Sequence, residues 1–203
     1  YAPLLKEEEK KYENFSKSIR RRAATIGGHN MDDYPLKMSV FNRARLIKNS
    51  KNRIPYGVNL IQKHKRESWI VFTENKKQAN EFNKIINTKG FKSALYNTDL
   101  DSAERLENLN RFKKADLNVL VTCTALDEGF DMPEADGALI LSASSSKRQR
   151  VQRMGRVLRI TENKPNALIV TVYSSKTEFD KLMEEAKRYH KEGVPVSWKR
   201  QDR

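Results

Sequence analysis

The chain has 203 residues, enough for one domain of ordinary size or one domain with an appendage, and 37% of them are apolar. Forty Lys and Arg against 26 Asp and Glu leave a net charge of +14, and such an excess draws polyanions by releasing the counterions condensed on them. A single cysteine, Cys123, and three scattered histidines exclude a disulfide framework and a His/Cys metal spacing, and no apolar run approaches the ~18 residues of a membrane span.

Nucleic acid is the commonest polyanionic partner, and a lysine-rich solubilising surface is the competing reading of the same charge. The amino end, Tyr1-Ala2-Pro3-Leu4-Leu5 followed by Lys and Glu, is not a signal peptide. Together with the lone cysteine it fits a reducing, cytoplasmic or nucleoid-associated setting. It does not begin with Met, so the chain is expected to be cut from something longer.

Residues 4–26 read as an amphipathic helix, with Leu5, Tyr12, Phe15, Ile19, Ala23 and Ile26 recurring at helical spacing and Gly27-Gly28 as its stop. A loop at 29–35 leads to a second helix over 36–52. Pro55 breaks or kinks it, and Ile54, Val58 and Ile61 carry the stripe on to His64. From Glu67 the pattern changes. Short apolar runs at 68–73, 92–96, 118–122, 138–141 and 166–173 suit strands. Helical patterns at 75–88, from the capping box Asp101-Ser102-Ala103-Glu104 onward, at 146–158 and at 176–191 alternate with them. Such alternation predicts an α/β fold, a parallel sheet with helices on both faces, preceded by a helical segment. The division expected is a helical leader at 1–66, the α/β domain at 67–192 and a polar, frayed tail at 193–203.

In such folds the working residues gather where strands end, and Thr73, Cys123 and Ser142 fall at such ends. Thr73 and Asn75 begin a strand-to-helix turn, where free helix N–H groups suit phosphate; a plain helix cap is the alternative. The segment Leu126-Asp127-Glu128-Gly129-Phe130-Asp131-Met132-Pro133 places a glycine for a tight turn beside a carboxylate. In Gln152-Arg153-Met154-Gly155-Arg156-Val157-Leu158-Arg159, Arg156 and Arg159 are three apart and share one helix face. Two guanidinium forks aimed alike suit a polyphosphate. A solvated basic helix is the plainer reading of that arginine pair, and also of Lys147, Arg148 and Arg150. The leader's own basic stretches, Arg20-Arg21-Arg22 and Arg43, Arg45 and Lys48, suit a duplex or a solvated face equally. Cys123 has no histidine near it in sequence and is not read as a nucleophile.

These three stretches occur in order and resemble the fourth, fifth and sixth motifs of superfamily 2 helicases and translocases. The resemblance covers roughly 67–173. Gly-Arg-Val-Leu-Arg is closest to the DNA repair, restriction-type and XPB-like branch; the DEAD-box branch usually reads His-Arg-x-Gly-Arg-x-Gly-Arg. The resemblance implies the second RecA-like domain of a two-domain motor, a doubly wound parallel sheet. It implies that Arg156 and Arg159 reach the γ-phosphate of ATP, that Asp131 accepts from the ribose beside Gly129, and that Gln152 belongs to the same cleft. It further implies that Thr73, Asn75, Thr122, Thr124, Lys147 and Arg148 meet nucleic acid. Many relatives have Thr six residues before the glycine; here Cys123 stands there, between Thr122 and Thr124.

No Gly-x-x-x-x-Gly-Lys-Ser/Thr loop occurs in the 203 residues. The ATP and its Mg²⁺ are therefore expected on a first RecA-like domain outside this sequence, with no metal held here and no hydrolysis by this chain alone. Duplex or forked DNA is the expected partner, with a DNA-repair type of role. The alternatives are half of an RNA helicase, and a nucleic-acid-binding module whose motor fold has degenerated.

Overall fold

The computed structural model describes residues 1–64, 66–123, 134–142, 168–191 and 193–198. They divide into two compact units, one of 53–172 and one joining 1–52 to 173–203.

The first of these is built on a five-stranded sheet. Its strands are β1 (Trp69–Thr73), β2 (Ser93–Tyr96), β3 (Val119–Cys123), β4 (Gly137–Ile140) and β5 (Leu168–Thr171). They lie in the order β2-β3-β1-β4-β5, and every pairing is parallel. The central strands β1, β3 and β4 are buried along their whole length, as largely apolar runs covered on both faces should be. The edge strands β2 and β5 are only half-buried.

Three helices belong to this unit: α3 (Arg53–Lys63), α4 (Lys76–Thr88) and α5 (Ser102–Lys113). The chain moves outward from β1 to β2 through α4 and inward from β2 to β3 through α5. Right-handed crossovers in opposite directions place those two helices on opposite faces, so the sheet is doubly wound. Ala79, Phe82 and Ile86, the expected stripe of α4, are wholly buried. Asp101 caps α5 and Glu104 answers it, as the capping box predicts.

Pro55 does not break a helix. It occupies the first turn of α3, where a missing N–H costs nothing; the break lies earlier, at 49–52. Two glycines allow close packing. A Cβ on Gly57 would lie 2.6 Å from Leu141 and 3.1 Å from Phe82, and one on Gly137 would lie 2.5 Å from the buried Trp69 ring. Arg53, at the start of α3, is fully buried; its Nη1 donates to the Leu141 and Val172 carbonyls at 2.5 and 2.8 Å, where β4 and β5 end.

The second unit holds α1 (Lys6–Thr25), α2 (Tyr34–Lys48) and α6 (Lys176–Lys191). Helices α1 and α2 pack together, joined by a turn in which Gly27 and Gly28 take positive φ. Arg22 at the end of α1 forms a two-pronged ion pair with Asp33, and Asp33 also caps α2 by accepting from Leu36 N–H. Glu8 accepts from the Leu5 and Lys51 amides, and Ala2 N–H donates to Tyr173 C=O. Ser175 and Glu178 cap the start of α6. Trp198, in the segment expected as a polar tail, lies edge-on to Phe179 with ring centres 5.0 Å apart. Among the described residues no helix is long and apolar enough to cross a membrane.

Candidate functional site

Strand β1 has β3 on one side and β4 on the other, all pointing the same way. The segments that follow them therefore start from one edge of the sheet, at Thr73, Cys123 and Ser142. From β1 the chain proceeds toward β2, and from β4 toward β5, which lies on the other side. Where connections part in this way, a crevice opens at the carboxyl ends of the two strands, and open α/β sheets bind ligands there.

The described rim of that crevice is a small polar network. The Thr73 hydroxyl lies within donating distance of the Thr122 carbonyl, at 3.0 Å, and of the Asn75 carbonyl, at 3.2 Å. The Thr122 hydroxyl donates to the Cys123 carbonyl at 3.3 Å. Both threonines are 1% exposed, so the Thr73 hydroxyl ties the end of β1 to β3 beneath the surface while that of Thr122 turns back onto its own strand. Asn75 is half-buried, and its Oδ1 accepts from Gln78 N–H at 2.9 Å, which caps α4. The first turn of α4 also brings Lys76 and Lys77 to the rim, and Lys76 pairs with Asp99.

Gln78 escaped the sequence reading. It is 5% exposed, and its Oε1 accepts from Glu74 N–H at 2.9 Å and from the Ser142 hydroxyl at 3.4 Å. One amide thus joins the turn after β1 to the residue from which the 143–167 segment departs. The available signal was a polar residue beside Ala79 on a stripe otherwise made of Phe82 and Ile86. Arg53 escaped it too, since an arginine opening a helix reads as solvated. Cys123 closes β3 at 5% exposure, within the sheet rather than on the surface.

Thr73, Asn75 and Thr122 are thereby brought together at neighbouring strand ends. Thr124, Gly129, Asp131, Lys147, Arg148, Gln152, Arg156 and Arg159 lie outside the described residues. Among the described residues no group of three His, Cys, Asp or Glu side chains is placed to hold a metal ion.

Known proteins share this pattern. The sequence is 29% identical over 193 residues to the DNA 3'-5' translocase XPB2 of Sulfurisphaera tokodaii, a match covering 87% of this chain and 42% of that protein. It is 25% identical over 118 residues to the ATP-dependent rRNA helicase RRP3 of Scheffersomyces stipitis, covering 58% of this chain and 24% of that one. The chain thus spans less than half the length of either relative. Among solved structures, the C-terminal domain of the DEAD-box protein Dbp5 shares the fold with a TM-score of 0.62 at 22% identity, over 71% of this chain and 82% of that domain. The model of the helicase conserved C-terminal domain matches residues 52–161, from the start of α3 through the arginine pair. The sheet order, the strand-end segments and this match agree, and the chain belongs to the helicase conserved C-terminal domain family.

Proposed function

We propose that this chain is the second motor half of an ATP-dependent DNA helicase or translocase, working across a cleft with a first RecA-like domain. The observation that carries the reading is that the fourth-, fifth- and sixth-motif segments follow three adjacent strands, β1, β3 and β4, from one edge of the sheet. The two guanidiniums, the carboxylate and the amide proposed for the nucleotide match its parts in chemistry: Arg156 and Arg159 for phosphate oxygens, Asp131 for ribose hydroxyls beside Gly129, and Gln152 for the same cleft. ATP supplies the terminal phosphoryl group whose transfer to water drives the cycle, with its Mg²⁺ on the first domain. Arg156 and Arg159 neutralise the charge that develops there, and their withdrawal lets the cleft reopen.

Nucleic-acid contact falls on this reading to Asn75 with the first turn of α4, and to Thr124, Lys147 and Arg148. Thr73 and Thr122 contribute from below, the Thr73 hydroxyl and the Thr122 carbonyl joining the strand ends from which those contacts project. The leader at 1–66, the motor domain at 67–192 and the tail at 193–203 form our functional division. DNA is favoured by the match to a DNA translocase that covers 87% of this chain and so takes in part of the helical leader as well as the sheet. RNA remains the second reading, favoured by the likeness to an rRNA helicase; comparing ATPase stimulation by DNA and by RNA separates the two.

The test uses the intact parent protein. Arg156→Ala or Arg159→Ala should lower DNA-stimulated ATPase on the order of 10³-fold or more, the scale of arginine-finger loss, with DNA affinity largely kept. Equal ATPase in variant and parent overturns the proposal. This chain alone should hydrolyse no ATP.

A further inference from the structure

We propose that the outer face of α2 is a track for single-stranded nucleic acid, separate from the crevice of the sheet. Helix α2 contains Lys37, Arg43, Arg45 and Lys48 and no acidic residue. At about 100° per residue, its side chains sort into two opposed faces. Leu36 and Ile47 are buried on one. On the same face the Ser39 hydroxyl lies 3.2 Å from that of Ser18, and Arg43 turns inward to Ser16 at 3.3 Å and to the Tyr12 ring at 5.7 Å. That face is the seam with α1.

The opposite face carries Tyr34, Lys37, Met38, Phe41 and Arg45 within an arc of about 100°. All five are exposed, with Tyr34 at 71%, Phe41 at 51% and Met38 at 37%. Large apolar side chains standing together in water mark a surface awaiting a partner. Cations lie between them, and the nearest carboxylates in sequence, Asp32 and Asp33, precede the helix. Of that pair, Asp33 is already held by Arg22.

Exposed rings interleaved with cations fit a strand whose bases stack while its phosphates are neutralised. Tyr34 and Phe41 stand seven residues apart, about 10 Å along the axis, close to three steps of about 3.4 Å in a stacked strand. A duplex keeps its base faces inside its own stack, so these rings favour an unpaired strand. The acid-free charge favours a polyanion over an apolar protein groove.

The experiment measures anisotropy of fluorescein-labelled dT15 with the 203-residue chain, beside a blunt 15-base-pair duplex. Tyr34→Ala with Phe41→Ala should weaken dT15 at least about tenfold and change duplex binding less than twofold. Lys37→Gln with Arg45→Gln should lower the slope of log affinity against log salt by about 1.4 for dT15, two phosphates at ~0.7 each. Phe41→Trp keeps a stacking ring, and its added emission should be quenched as dT15 saturates. Unchanged dT15 affinity in the double alanine variant, equal loss of duplex, or no quenching overturns the proposal and leaves the stripe to a protein partner. No ATP enters these assays, so their outcome is independent of the arginine test on the parent protein.

Discussion

In the sheet unit, Trp69, Phe72, Phe82, Ile86, Leu120, Leu139 and Leu141 are all at most 2% exposed. In the helical unit smaller apolar contacts, buried Ile19, Leu36 and Ile47 and the rings of Tyr173, Phe179 and Trp198, are joined by polar fastenings: Arg22 with Asp33, Glu8 with two backbone amides, and Ser50 with Ser174 at 3.1 Å. Of the large apolar side chains left exposed among the described residues, all but Leu106 belong to the helical unit. The sheet unit closes a large apolar core, whereas the helical unit adds polar latches to smaller apolar seams and leaves more of its apolar side chains exposed. On the proposed functions, rigid strand ends suit contacts that project from them, and exposed rings suit a helical appendage that grips a ligand.

The sharpest way to break the contrast is to hollow the sheet unit. Phe82→Ala should cost about 3–5 kcal/mol, read as a lower denaturant midpoint; a cost below about 1 kcal/mol would mean that the core is looser than its burial implies. Arg53→Met comes next. It removes the donor shared by the Leu141 and Val172 carbonyls, and each orphaned acceptor should cost about 1–3 kcal/mol. Amide exchange should rise first at the ends of β4 and β5.

The smallest effect is in the helical unit. The hydrogen bonds from Arg22, with help from Leu36 N–H and the guanidinium charge, hold the Asp33 carboxyl below its usual range against the opposing pull of burial. A depressed carboxyl contributes stability above its unfolded value of about 3.9 and loses it as pH falls through the lower folded value. The same contact raises Arg22, whose share is lost only in strong alkali. Acidification below about pH 4 should therefore loosen α1 against α2, followed by far-UV circular dichroism, and Asp33→Asn should flatten that dependence. An identical acid transition in that variant would place the titrating group elsewhere.

Much of the fold was legible because its signals are local. The apolar run at 69–73, the stripe Ala79-Phe82-Ile86 and the Asp101–Glu104 box each specify an element from a few consecutive residues. Pro55 misled because one proline both ends and begins helices, and only the preceding turn at 49–52 shows which. Gln78, Arg53 and Gly57 were unreadable for a different reason. Their partners, Ser142, Leu141 with Val172, and Leu139 with Leu141, lie far along the chain.

By itself, then, the sequence determined the order of the five strands and of the described helices, the capping of α5, the surplus of positive charge and the family, while the expected helix at 146–158 lies outside the described residues. These depend on period and on neighbours within one or two turns. Only the tertiary structure decided that β1 lies between β3 and β4, which brings Thr73, Cys123 and Ser142 to a single edge. Only it buried the Thr73 and Thr122 hydroxyls, and only it left the Tyr34–Phe41 face in water. Such outcomes depend on which surfaces meet after the chain has doubled back, and no local spacing encodes that.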